Sequence, residues 1–214
     1  MGKCVIFCAG GFQSLARPVD SSDFLLAADG GLAHLQRLGL LPHGIIGDFD
    51  SLGYVPEGAQ VFPVEKDDTD SMLAVRKGLE LGYREFEIYG GLDGPRLDHT
   101  IANLQTLCFL AEHGATGCLV GETYVVGVVR NGTVRFPKAA RGILSVFCFG
   151  EDAVGVNITG THYELNDGTL QSGFPLGVSN HFTEKEAVLS VLSGTLIFLY
   201  DRANGLPQWE EPVC

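Results

Sequence analysis

The acidic residues of this chain gather where apolar stretches end. Gly47-Asp48-Phe49-Asp50-Ser51 follows the apolar pair Ile45-Ile46 and sets two carboxylates one residue apart. Asp29 follows the run Phe24–Ala28, Asp67, Asp68 and Asp70 follow Val61–Glu65, and Asp93 and Asp98 follow Glu85–Gly91. Carboxylates brought together raise one another's pKa unless a cation compensates them. Hard oxygen ligands suit Mg²⁺ or Ca²⁺. A calcium EF-hand loop fails on inspection: counted from Asp48, Leu52 takes a ligand position and Ala59 stands where the bidentate Glu belongs. Mg²⁺ held by a few carboxylates together with substrate phosphates fits better. Lys66 and Arg96 lie among these acids and supply what phosphoryl-type transfer needs, charge neutralisation and an oriented clamp. Each acid also has a plain local reading: a turn or helix N-cap at Asp29, dipole complementation at Asp68 and Asp70, an N-cap at Asp98, an Asx-turn at Asp48. The recurrence of one chemistry at successive strand ends is what independent turns do not explain. Neither a Walker-A string nor G-x-G-x-x-G after the first apolar run is present.

The elements that must position these residues follow two grammars. Up to about residue 120, apolar runs that stop at glycines (CVIFCAGG, FLLAADGG, GIIGDFDS, EFEIYGG, GCLVG) alternate with helical patterns. GGLAHLQRLG ends at Gly39. DTDSMLAVRKGLELG puts Met72, Val75, Arg76 and Leu79 on one stripe, with Asp68 or Thr69 as N-cap. DHTIANLQTLCFLAEHG puts Ile101, Leu104, Cys108 and Ala111 on another. This alternation predicts a three-layer α/β domain with a mostly parallel sheet, residues 1–120. Ligands of such sheets bind outside the carboxyl ends of the strands, where the acids collect. From 121 to 214 the chain reads as short strands with Gly, Asn and Asp turns, including a hairpin at Asn131-Gly132, and predicts an all-β sandwich.

The bulk properties narrow the function class. A net charge of −12, from 26 acidic and 14 basic residues, argues against a phosphate-backbone binder and against an anionic membrane surface. It leaves ATP open where divalent cations mediate the contact. The opening MGKCVIFCAGG reads as a first strand and not as a signal peptide, and no apolar stretch is long enough to span a membrane. The 6 cysteines contain no C-x-x-C pair, so reduced thiols in a cytoplasmic protein are the expectation.

AADGG (27–31), IIGDFDSL (45–52), KDDTD (66–70), GGLDGPRLDHTIANL (90–104) and GVSNHF (177–182) occur together in this order, and in this the chain resembles the thiamine pyrophosphokinase family. The resemblance implies an α/β nucleotide domain and a β-sandwich that binds thiamine, working as a homodimer with active sites between subunits. It implies transfer of a pyrophosphoryl group from ATP to the thiamine hydroxyl, giving thiamine diphosphate and AMP. Residue by residue, it implies Asp48, Asp50 and Asp70 as Mg²⁺ ligands and Asp29 and Asp98 as further acids of the site. Lys66 and Arg96 would meet the ATP phosphates, and Ser179 and Asn180 would serve the thiamine side. The chain departs from the family pattern at Pro95, directly before Arg96, and at His181, where the family often has Glu. Two other readings stand beside this one: a metal-dependent pyrophosphokinase for another hydroxymethyl acceptor, and a non-catalytic nucleotide- or thiamine-binding module.

Overall fold

The computed structural model describes residues 2–49, 52–63 and 67–210. The chain divides into two compact units, Met1–Glu122 and Thr123–Cys214.

In the first unit, β1 (Cys4–Phe7), β2 (Phe24–Ala28), β3 (Gly44–Gly47), β4 (Gln60–Val61), β5 (Glu85–Tyr89) and β6 (Thr116–Val120) stand in the order β6-β5-β1-β2-β3-β4. Every one of these pairings is parallel. Helices α1 (Leu32–Leu38), α2 (Asp70–Glu80) and α3 (Leu97–Glu112) connect the strands. The first strand is buried along its length, so its side chains alternate between two covered faces. On one face, Cys4 Sγ and the Phe86 ring lie against Gly78 of α2, where an added Cβ would stand 2.8 Å from the sulfur and 2.6 Å from the ring. On the other, Phe7 meets Phe12 edge-on at 5.5 Å, and Phe12 in turn meets His34 of α1 at 5.2 Å. Helices therefore cover both faces, and the three-layer arrangement holds.

Both long helices turn a different stripe to the sheet from the one their apolar residues mark. In α2 the buried residues are Ser71, Ala74, Val75 and Gly78, while Arg76 is exposed. Small side chains let this helix approach the sheet closely, and the longer Met72 and Leu79 lie at the flanks of the contact. In α3 the buried face is Asn103, Thr106, Leu107 and Leu110, and Ile101 is 49% exposed. Polar residues that find partners inside the fold share this face, which a search for apolar spacing passes over.

The second unit builds two antiparallel ladders. One runs β12 (Asn180–His181), β9 (Ile143–Cys148), β14 (Thr195–Asp201), β7 (Tyr124–Arg130). The other runs β11 (Leu165–Leu170), β10 (Ala153–Thr159), β13 (Val188–Ser190), β8 (Thr133–Arg135), β15 (Gln208–Trp209). Phe136 contacts Phe182, Phe198 and Tyr200 edge-on at 5.3–5.4 Å, which forms the aromatic centre of this core. The Asn131-Gly132 turn does not close a hairpin. Asn131 takes a φ of 46° but Gly132 has no positive φ, so the two-residue turn that would pair β7 with β8 does not form. The Asn131 side chain instead accepts from Gly194 N–H at 2.9 Å, and the chain passes from the first ladder to the second.

Candidate active site

The sequence dictates the shape of the carboxyl edge of the parallel sheet. Asp29 closes β2 in a left-handed conformation (φ 47°), within a short 3₁₀ turn. Gly47 closes β3, and a Cβ there would stand 3.0 Å from the Asp29 Cα, so glycine is what lets the ends of β2 and β3 come together. Phe49 is also left-handed (φ 59°) and only 2% exposed. Such a backbone costs about 1–3 kcal/mol for a non-glycine residue, and burial of the ring offsets it. Thr69 caps α2 by accepting from Met72 N–H at 3.2 Å, which sets Asp70 in the first helical turn.

These strand and helix ends surround a cavity of about 580 Å³. Asp29, Asp48, Asp68 and Asp70 line it, together with Arg96 and the loop glycines Gly90, Gly91 and Gly94. Cys8 lines it too, with its thiol pushed up to about 12, first by burial and then by the charge of Asp70. The four aspartates supply the carboxylate oxygens that line the cavity. Among the described residues no group of three or more His, Cys, Asp or Glu side chains is set to hold a metal ion. The donor chemistry nevertheless fits a hard divalent cation that fills its shell with water and substrate oxygens, because such a cation needs only one or two protein carboxylates. Asp50 and Lys66 lie outside the described residues.

Arg96 and Asp98 form an exposed ion pair at 2.6 Å. Their hydrogen bond and charges hold the Asp98 carboxyl below, and the Arg96 guanidinium above, their ordinary values. Asp98 occupies the first turn of α3 and does not cap it, and it is not among the residues lining the cavity, whereas Pro95, Arg96 and His99 are. Asp93 is turned to the backbone, accepting from Glu122 N–H at 2.6 Å. In the second unit Ser179 is exposed and left-handed (φ 60°). Asn180 is buried. Its amide accepts from Tyr163 and His181 N–H and donates to Thr161 Oγ1 and the Tyr163 carbonyl, so its side chain holds the 161–163 loop. The spacing of acids did not single out Ser71 and Asn103, which also line the cavity. Their signal in the sequence is a polar residue in the buried register of each helix.

The thiamin pyrophosphokinase catalytic domain profile matches residues 15–119, and the thiamin pyrophosphokinase vitamin B1 binding domain profile matches residues 133–196. The chain belongs to the thiamin pyrophosphokinase family. A thiamine pyrophosphokinase of Bacillus subtilis is 26% identical over 210 residues, spanning 92% of this chain and 98% of that protein. The crystal structure of thiamine pyrophosphokinase from Bacillus subtilis superposes with a TM-score of 0.80 at 26% identity, covering 93% of this chain and 99% of that one. The yeast thiamin pyrophosphokinase structure shares the fold, with a TM-score of 0.72 at 13% identity over 95% of this chain and 87% of that one. The catalytic-domain profile falls within the unit that carries the acidic cavity.

Proposed function

We propose that this protein transfers the pyrophosphoryl group of ATP to the hydroxyl of thiamine, with AMP as the second product. One observation carries the reading: acids from separate strand and helix ends, together with Arg96, line one cavity of a size suited to a nucleotide, inside the unit that matches the family's catalytic domain.

Asp48 and Asp70, with Asp50, are the carboxylates that would hold Mg²⁺. Bound there, the cation neutralises charge on the triphosphate. Arg96, with Lys66, binds the phosphate oxygens, and for Arg96 this means exchanging its ion pair with Asp98 for the substrate. The thiamine hydroxyl oxygen forms a bond to the β-phosphorus as the bond from that phosphorus to the oxygen bridging the α-phosphate breaks. The electron pair remains on AMP. The hydroxyl proton goes to a carboxylate, and Asp29, which lines the cavity, is better placed for it than Asp98, which does not. Pro95 fixes the chain just ahead of Arg96 and narrows the directions from which its guanidinium arrives. On the thiamine side the reading assigns Ser179 through its exposed backbone turn and Asn180 as the residue that holds that turn's neighbour. The working form is a homodimer, a reading supported by exposed Phe174, Leu176 and Val178 on the second unit (58%, 56% and 42%), and the cysteines without a C-x-x-C pair favour the cytoplasm.

The test is incubation with ATP and Mg²⁺ and a panel of hydroxymethyl acceptors. AMP should appear with thiamine and not with the others. AMP released with a different acceptor would establish the other pyrophosphokinase, and tight thiamine binding with no AMP would establish a binding module.

A further inference from the structure

Buried polar groups of the first unit link α2 to α3 in a chain that the reaction scheme above does not use. Ser71 Oγ lies 3.0 Å from Thr69 Oγ1 and donates to Asn103 Oδ1 at 2.6 Å. Asn103 Nδ2 donates to the Gly91 carbonyl at 2.7 Å. Ser71 is 8% exposed and Asn103 6%. The direction of the chain is forced. A carbonyl only accepts, so the amide nitrogen faces Gly91 and the amide oxygen faces Ser71, whose hydroxyl must then donate. The remaining lone pairs of Ser71 are left to accept from Thr69.

This chain crosses from one wall of the cavity to another. Ser71 is the neighbour of Asp70, and Gly91 opens the loop that leads through Pro95 to Arg96. The loop is also gripped from the far side. Gly90 has a φ of 69°, its carbonyl accepts from Gly10 N–H at 3.0 Å, and a Cβ on it would stand 2.3 Å from the Cys8 carbonyl oxygen. Gly91 in turn would put a Cβ 3.2 Å from Asn103 Nδ2. The glycine loop is thus wedged between the end of β1 and the Asn103 amide.

We propose that Asn103, oriented by Ser71, is a positioning residue that fixes the distance between the Asp70 wall and the Arg96 loop. The inference rests on the reading of the cavity as the pyrophosphoryl-transfer site. Ser71→Ala removes the donor that sets the amide, and Asn103→Asp puts an oxygen against the Gly91 carbonyl in place of a donor. A displacement of about 1 Å between reacting groups is worth about 10²-fold in rate, so the effect belongs in kcat.

The test follows hydrogen exchange at residues 91–96 and steady-state kinetics for Ser71→Ala and Asn103→Asp. In Ser71→Ala, exchange at 91–96 should rise about tenfold, the equivalent of one buried hydrogen bond, with the interior amides of α2 and α3 unchanged. kcat should fall by about 10- to 100-fold with the KM for thiamine unchanged. Asn103→Asp should do the same or more, and if it fails to fold, Ser71→Ala decides. Wild-type exchange at 91–96, or a lowered Tm with unchanged kcat per folded molecule, would overturn the proposal. Absence of AMP from the wild-type protein would instead refute the proposed function, and the exchange measurement would still decide whether the pair holds the loop.

Discussion

At the scale of single residues, the acidic edge depends on two conformations that side chains rarely adopt. Asp29 and Phe49 are both left-handed, and Gly47 sits where any side chain would collide with Asp29. The arrangement brings like charges into a half-buried cavity, a cost that a structural role alone does not justify and that a bound cation would offset. Asp48 is half-buried and lies beyond the last residue of β3, so its loss should leave the core intact. Asp48→Asn is expected to lower kcat about 100-fold with Tm unchanged, read from AMP formation and a thermal melt on the same preparation. Near-normal turnover in that variant would remove Asp48 from the site. Arg96→Ala should likewise cost about 100-fold in kcat, and because Arg96 is exposed, its thermal melt should overlay the wild type.

At the scale of elements, α2 is seated by what it lacks. Ser71, Ala74 and Gly78 form a small-residue buried face, and Gly78 lies against Cys4 of β1 and Phe86 of β5. Gly78→Leu forces the ring of Phe86 and the Cys4 sulfur aside and should cost about 1–3 kcal/mol, measured by denaturant unfolding. The same face shows where the sequence is legible and where it is not. The existence of α1, α2 and α3, the parallel strands and the change of grammar near residue 120 all follow from apolar runs, glycine stops and helical spacing. The facing of the helices does not, because Arg76 and Ile101 fit the apolar spacing geometrically and are exposed, while Ser71 and Asn103 are buried through hydrogen bonds that link positions 32 residues apart. Asn131-Gly132 failed as a hairpin for a related reason: a long-range bond to Gly194 outweighs the local turn preference. Asp29, Asp48, Asp68 and Asp70 line one cavity because chemistry at strand ends is local in sequence, whereas Asp93 and Asp98 are outside its lining and pair with Glu122 N–H and Arg96. The buried role of Asn180 is not legible locally, since its partners lie on the 161–163 loop.

At the scale of the whole molecule, the first unit carries a buried ionic cluster whose effect on stability has a definite sign. Glu87, on β5 and 2% exposed, accepts from Arg17 at 2.7 Å and pairs with Lys3 at 3.1 Å. Arg17 also bonds Asp23 at 2.7 Å, so one guanidinium joins the 8–23 segment to Glu87 of the sheet and closes that segment on itself. Burial pushes the Asp23 carboxyl up, but the Arg17 hydrogen bond and the N–H groups of Asp20 and Lys3 together outweigh it, and the net shift is downward. A depressed carboxyl contributes stability that is present above its unfolded pKa of about 3.9 and is lost as pH falls through the lower folded value. Thermal melts taken down to strongly acid pH should therefore show a steeper loss of Tm for the wild type than for Asp23→Asn. At neutral pH, Arg17→Ala takes the guanidinium from two buried carboxylates, leaving Glu87 with Lys3 and Asp23 with backbone N–H groups, and should cost about 3 kcal/mol. Equal acid slopes for wild type and Asp23→Asn would show that this carboxyl does not drive the loss.

The bond that breaks in ATP defines the reaction. Phosphorus NMR of the protein with ATP, Mg²⁺ and thiamine follows every phosphorus at once. The expected products are AMP and thiamine diphosphate in equal amounts, with the β- and γ-phosphorus of ATP moving together onto thiamine. ADP with thiamine monophosphate, or free phosphate with thiamine untouched, would contradict that transfer.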